Sequence, residues 1–404
     1  MITDEYHRRA SIKVIGVGGG GCNAVGHMIA AGVTSVDFIC VDTDAQALTN
    51  TTISETLALG AQTTKRRGAG GNPAVGREAA LQNSADISEI LAGTDIVFIV
   101  ASMGGGTGTG AAPVLAEIAR TMGILTVGVV TKPFPFEGSK RMRVAMEGIE
   151  TLTRTVDSLI TIPNEKLLSG FGQNLAMQEA FQLVNNVLLD AVRGIAELIA
   201  QPGLINVDLT DLRTVMSNKG LVYFGTGSAS GVNRAREAAE RAISYPLLEG
   251  IDLADAQGLL INITADMNLT IGEFDNVGQV IRKCASENAS VIAGTVIDRS
   301  LNDEVRVTLV ATGIGFAQSN RKTRTFDLDH AAEPNFTNVF GETINLVVPN
   351  ELDDETTALL IELLSKAYRG VGGDSLAINE TYPLPPLNEE DKKAPSSAMR
   401  LRNG

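Results

Sequence analysis

The sequence predicts an α/β fold: a parallel sheet wrapped by helices, followed by a second α+β unit. Three observations predict it. Short β-branched apolar runs alternate with helical stretches through the first half, the pattern of parallel strands covered on both faces. Two of those runs break directly into glycine clusters that open helices, which is where α/β proteins hold ligands. After one long uninterrupted helix the order changes, with helices first and strands after. That change marks a separate α+β layer.

Residues 1–10 read as a polar leader, MITDEYHRRA. The first-half strands are Ser11–Val17, Ser35–Val41, Thr94–Ser102, Ile124–Val130 and Ser158–Ile162, each apolar and β-rich. Leu175–Ile199 keeps helical spacing without a breaker until Pro202 and Gly203 end it. Helices follow near Asp211–Ser217 and Asn233–Ile243, then three strands at 258–266, 290–298 and 304–315. A helix over 273–287 separates the first two of these strands. The expected organisation is a ligand-binding α/β domain over 11–175, a central helix over 176–204, an α+β domain over 205–318 and a linker over 319–342. Beyond it, INLVV (344–348), a helix across 353–369 and DSLAI (374–378) predict a strand–helix–strand module within 343–380. Leu359, Leu360, Leu363 and Leu364 share one face of that helix. Residues 381–404 are rich in Pro, Ser and charge, which predicts disorder.

Composition narrows the function. A net charge of −14 disfavours binding to nucleic acid or anionic lipid. Any anionic ligand must then be held by backbone N–H groups, a few basic side chains and a metal. Cys22, Cys40 and Cys284 have no metal-type spacing, and their odd number fits a reducing compartment. No apolar run approaches ~20 residues and the start lacks an apolar signal region. The expectation is a cytoplasmic protein with no direct membrane insertion. The 42 glycines in 404 residues exceed the usual ~7%, and many of them cluster. His7, His27 and His330 are scattered, which argues against a zinc cluster or a Ser-His-Asp triad.

Gly18, Gly19, Gly20, Gly21, Cys22 and Asn23 follow a strand and open a helix. Alone, this loop fits a dinucleotide-binding turn as well as any other phosphate loop, because Asp42 ends the next strand where a ribose-binding acid would lie. The second cluster decides between them. Gly104, Gly105, Gly106, Thr107, Gly108, Thr109 and Gly110 join another strand to another helix. Their N–H groups, two hydroxyls and a positive helix end suit a di- or triphosphate. No G-x-x-x-x-G-K-[ST] sequence occurs, so this is not a P-loop.

GGGTGTG at 104–110 is the tubulin/FtsZ signature. VFIVASMGGGTGTGAAPVLAEIA, TVGVVTKPFPFEGSKRM and LITIPNEKLL closely resemble bacterial FtsZ, and the resemblance runs from Ser11 to Gly315. It implies a tubulin-like, Rossmann-like GTPase domain, a central helix and a second α+β domain, with GTP or GDP and Mg2+ as ligands. The two glycine loops would cradle the phosphates. Asp44 would lie near a magnesium ion held mainly by phosphates and water. Ala69, Gly70 and Gly71 would face the γ-phosphate. Glu137 and Arg141 would contact the ribose region, with Pro133 shaping that loop. Asn23, Asn185 and Asn186 would read guanine, and Phe181 would stack on it. Three positions depart from the family pattern: Cys22 for a glycine, Arg66-Arg67 for a Gly-Leu pair, and two Asn residues where one Asp is common. An Asn carbonyl still accepts from guanine N–H groups.

Asn206, Asp208 and Asp211 begin the helix after the long one. By spacing alone, Asp208 as N-cap and Asp211 as dipole complement explain them as well as chemistry does. The resemblance adds that N-x-D-x-x-D matches a loop that enters the neighbouring subunit's nucleotide site. Asp208 and Asp211 would there orient the attacking water. The expectation is a self-assembling GTPase that forms head-to-tail filaments in the cytoplasm, gathered at mid-cell if it builds a division ring, with adaptor proteins reached through the C-terminal tail. The alternative is a specialised paralogue, a GTP-binding scaffold recruited by that unusual tail.

Overall fold

The computed structural model describes residues 10–314, apart from 172–175, 202, 219, 249–250 and 287, together with 336–337 and 343–344. The expected tail and nearly all of the leader, linker and terminal module lie outside the described residues. The chain divides into two units, Met1–Arg321 and Lys322–Gly404.

The first unit opens with β1 (Ile12–Val17), α1 (Gly18–Ala30), β2 (Asp37–Asp42), α2 (Ala45–Thr49) and β3 (Glu55–Ala58). Helices α3 (Pro73–Gln82) and α4 (Ser84–Leu91) precede β4 (Ile96–Ser102), and α5 (Thr107–Thr121) precedes β5 (Leu125–Lys132). Then come α6 (Ser139–Thr155), β6 (Ser158–Pro163), α7 (Asn164–Phe171) and α8 (Met177–Ala200). The second half runs α9 (Leu209–Met216), β7 (Leu221–Ser230), α10 (Arg234–Ile243), β8 (Gly258–Ala265), α11 (Ile271–Arg282), β9 (Ser290–Ile297) and β10 (Glu304–Ile314). In the second unit, β11 (Phe336–Thr337) pairs antiparallel with β12 (Thr343–Ile344).

One ten-stranded sheet holds β3-β2-β1-β4-β5-β6-β7-β10-β8-β9 in that order. From β3 to β7 every neighbour is parallel; β10 runs antiparallel to both β7 and β8, and β8 is parallel to β9. The two halves join through a single register pair, Ile160 with Val222. On one face Val14, Phe98, Val127 and Ile160 pack with Val184, Val187, Leu188 and Val192 of α8. On the other, Ile15, Ile39, Val97 and Ile99 pack with Ala79, Ala112 and Leu115. A strand buried on both faces must be apolar at every position, which is why these runs do not alternate.

Strands β3 and β7 and helices α2, α3, α4 and α7 add to the expected elements. β7 reads LVYFGTGSAS, with Gly225 and Gly227 in its middle. A Cβ at either would collide with α10, at the carbonyls of Ala242 and Ala238. The glycines that resemble a turn are there because a helix lies against the strand.

Arg234 fixes the far end of the second half. It is 5% exposed, bonds Glu273 at 2.6 Å and Asp303 at 3.1 Å, and reaches Asn268. These bonds tie the starts of α10 and α11 to the turn before β10. Hydrogen bonds from Arg234 hold the Glu273 carboxyl down to about 2, from 4.5. A lowered carboxyl stabilises the fold above its unfolded value and loses that contribution as pH falls from about 4.5 toward 2. Arg234→Leu is expected to cost ~2 kcal/mol near neutrality. In urea titrations from pH 5 to pH 2, the variant's stability should fall less steeply than that of the unmodified chain.

Candidate functional site

A parallel sheet presents all its carboxyl ends on one edge, and the site lies there. A cleft of about 380 Å³ opens beyond Val17 of β1, Ser102 of β4, Lys132 of β5 and Asn164 after β6. The two glycine loops form its floor. Gly18 packs so closely on the second loop that a Cβ there would lie 2.9 Å from the Gly108 nitrogen. No side chain fits between them. The floor is therefore main chain, and the first-turn N–H groups of α1 and α5 have no intrahelical acceptors. Together with two helix dipoles, that is an anion site.

The loops are braced from beneath. The Gly104 N–H donates to Thr109 Oγ1 at 2.8 Å, and the hydroxyls of Thr107 and Thr43 are 2.6 Å apart. Asp42 is 5% exposed and accepts from the Thr43 N–H at 2.7 Å; burial raises its carboxyl above the ordinary value. It has no access to a ribose, which removes the feature that favoured a dinucleotide. The Cys22 thiol points to the Gly16 carbonyl at 3.5 Å. Its neighbour Cys40, and then burial, push that thiol far above its ordinary range. It stays neutral beneath the loop and adds no negative charge near a phosphate.

The structure brings Gly18, Gly19, Gly20, Asn23, Gly105, Gly106, Thr107, Gly108, Pro133, Glu137, Arg141, Phe181 and Asn185 to the cleft lining. Glu137 is oriented by the Phe134 N–H at 2.8 Å and by Arg141 at 3.1 Å. Phe181 meets buried Phe134 edge-on, ring centres 5.4 Å apart, and remains 45% exposed toward the cleft. Gly21, Cys22, Gly104, Thr109 and Gly110 lie behind the lining as support. Asn186 is turned away, its Oδ1 2.6 Å from His27 Nε2. Asp44 caps α2, accepting from Gln46 and Ala47. Gly70 and Gly71 take positive φ, 59° and 74°, on an exposed loop beside buried Ala69.

Val17, Ser102, Met103, Thr131, Lys132, Asn164 and Val184 also line the cleft and were not expected from sequence. All but Val184 lie at, or directly after, the carboxyl ends of strands of the parallel sheet, a signal that could have found them. Asn164 is 4% exposed, and its Oδ1 has no hydrogen-bond partner. An orphaned acceptor in the wall of a polar cleft fits a ligand that donates hydrogen bonds. Among the described residues no group of three or more His, Cys, Asp or Glu side chains could hold a metal.

Asn206, Asp208 and Asp211 are exposed and lie elsewhere. Asp208 Oδ1 accepts from the Asp211 N–H at 2.8 Å, so the N-cap is real. Arg213 donates to the Gly123 carbonyl ahead of β5, and Ser158 at the start of β6 donates to the Met216 carbonyl. Helix α9 therefore sits at the amino edge of the parallel sheet, opposite the cleft. Within one molecule these acids cannot reach it.

A main-chain phosphate cradle on the carboxyl edge of this sheet defines a nucleotide-binding α/β protein, and the family comparison makes it a tubulin-like GTPase. The Tubulin/FtsZ family GTPase domain model matches residues 11–171, and the FtsZ family C-terminal domain model matches 220–315. The cell division protein FtsZ of Coxiella burnetii is 59% identical over 308 residues, 76% of this chain and 80% of the relative. That of Pseudomonas aeruginosa is 57% identical over 314 residues, 78% and 80%. An FtsZ dimer of M. jannaschii is 42% identical with a TM-score of 0.72, covering 77% of this chain and 90% of that one. CetZ1 of Haloferax volcanii, 19% identical over 75% of this chain and 94% of its own, shares the fold with a TM-score of 0.65. The chain belongs to the FtsZ family.

Gly104 tests the cradle. Its φ is 97°, and a Cβ would lie 2.8 Å from Arg141 Cγ. That Cβ would also lie 2.8 Å from the Arg141 carbonyl oxygen, so Gly104→Ala should weaken GTP binding by dilute protein roughly tenfold or more, measured by calorimetry, and should lower stability by about 1–2 kcal/mol.

Proposed function

We propose that the chain is a polymerising GTPase of cell division, whose hydrolytic site is completed by the next protomer in a head-to-tail filament. The observation that carries this is the placement of cradle and acids on opposite edges of one sheet. Stacking molecules in one direction brings each acidic loop over a neighbour's cleft, a heterologous contact that repeats without closing. Exposed Leu204 and Ile205 beside the acids, and exposed Phe136 and Met177 toward the cleft side, give both faces apolar surface to bury. The FtsZ relative solved as a dimer supports the same reading. High identity to cell division proteins favours that role over a scaffold paralogue.

In this reading the loops at 18–23 and 104–110 hold the phosphates through N–H groups, and Ala69, Gly70 and Gly71 close on the terminal one. Asn23 and Asn185 bond guanine, Phe181 stacks on it, and Asn186 supports them from behind through His27. Glu137 and Arg141 hold the ribose end beside Pro133. Asp208 and Asp211 orient a water in line with the terminal phosphorus, and Asn206 shapes their loop through the Gly203 N–H, 2.9 Å away. The amides stabilise charge on the transferred phosphoryl group. A magnesium ion held mainly by the nucleotide's phosphates would supply further neutralisation, with Asp44 as the carboxylate near it. Cytoplasmic action at mid-cell and recruitment of adaptors through residues 343–404 belong to the same proposal. Among the described residues no helix is long and apolar enough to cross a membrane.

Sedimentation with GTP, GDP and no nucleotide tests this. The unmodified chain should pellet with GTP alone. Asp211→Ala should still pellet while phosphate release falls at least about tenfold. Hydrolysis at the normal rate by that variant would contradict the proposal.

A further inference from the structure

The turn before the 68–71 loop carries three consecutive basic side chains, Lys65, Arg66 and Arg67, all exposed. None takes part in an ion pair among the described residues. Their backbone is nonetheless fixed. Lys65 and Arg66 have φ of 51° and 57°, a left-handed conformation that residues with a Cβ adopt only at a cost. The Arg66 N–H donates to Thr64 Oγ1 at 3.0 Å, the Arg66 carbonyl accepts from the Ala45 N–H at 3.0 Å, and the Arg67 backbone forms an isolated antiparallel β-bridge with that of Asp44. Asp44 follows β2, so the turn stands on the carboxyl edge of the sheet. It flanks the cleft without lining it.

Cations without an ion-pair partner, carried on a fixed backbone, are conspicuous in a chain of net charge −14. Head-to-tail stacking creates the need for them. It brings two carboxylates, Asp208 and Asp211, against a triphosphate, and one anionic protomer against another. Like charges at that distance repel, and the repulsion falls on the edge where the triad stands. Lys132 and Arg141 are the described cations that line the cleft, and Arg141 is already paired with Glu137.

We propose that Lys65, Arg66 and Arg67 form an electrostatic docking element for the acidic 206–211 face of the next protomer. The element rests on the head-to-tail reading and adds a specific contact to it. Its signature is assembly that weakens with salt through this triad.

The test compares the full chain with Arg66→Asn/Arg67→Gln and with Arg66→Lys/Arg67→Lys. Asn tolerates the left-handed backbone while removing charge. Critical concentration in GTP is read by sedimentation at roughly 0.05 and 0.3 M salt, and GTP affinity is read on dilute protein. The neutral variant should raise the critical concentration roughly three- to tenfold at low salt, with the difference shrinking at high salt. The lysine variant should stay close to the unmodified chain, and dilute GTP affinity should change less than about twofold. An unchanged critical concentration overturns the proposal. A parallel loss of GTP affinity also overturns it and assigns the triad to the nucleotide. If the unmodified chain fails to assemble with GTP at all, the polymerisation reading itself fails, a result distinct from either.

Discussion

A cleft floored by main chain depends on two glycine loops touching with nothing between them. Where Gly18 meets Gly108 a single methyl group would intrude, and the amides that face the cleft would be pushed apart. Everything around the loops serves that contact. The Thr43–Thr107 hydroxyl pair, buried Asp42 and the neutral Cys22 thiol brace it from below. The cradle supplies donors but few charges. Charge stabilisation must come from aligned dipoles and from whatever the phosphates bring, which suits a site that is incomplete until a second molecule arrives.

Helix α8 spans the distance between the two edges. At 24 residues and 1.5 Å per residue it is about 36 Å long. Its first turns present Phe181 and Asn185 to the cleft, and its end leads into the acidic loop. One polar stripe along it touches both halves: Asn186 meets His27, Arg193 donates to the Ala31 carbonyl, and Glu197 lies 3.5 Å from Arg306 on β10. Burial raises the carboxyls of Asp190 and Glu197 above their ordinary values, while the nearby arginines pull them down. Across the helix, buried Asn262 donates to the Gly194 carbonyl at 2.8 Å. The halves share one strand register pair, so the helix carries most of their mutual positioning.

Much of this was legible in the sequence because glycine and β-branched residues have few uses. Runs such as VFIVAS signal a strand buried on both faces, and GGGTGTG signals backbone laid against a ligand. Asn164 and Lys132 were legible only as residues at strand ends, since their convergence on the cleft depends on sheet order rather than on local spacing. β7 was hidden by Gly225 and Gly227, which serve packing against α10. Helix α3 was hidden similarly: Asn72-Pro73 and Gly76 resemble a loop, yet Asn72 is its N-cap, and a Cβ at Gly76 would strike the Gly106 carbonyl. Asp208 illustrates the reverse case. Its capping bond is present, and its exposure on the edge away from the cleft, which spacing could not give, is what makes a second role physically available.

The central claim is that one molecule holds the nucleotide and another supplies the acids. The direct measurement is GTP turnover per molecule across a dilution series that passes below the assembly threshold. The account predicts turnover that collapses toward zero below the threshold and becomes constant per molecule above it. Equal turnover per molecule at every concentration would contradict it.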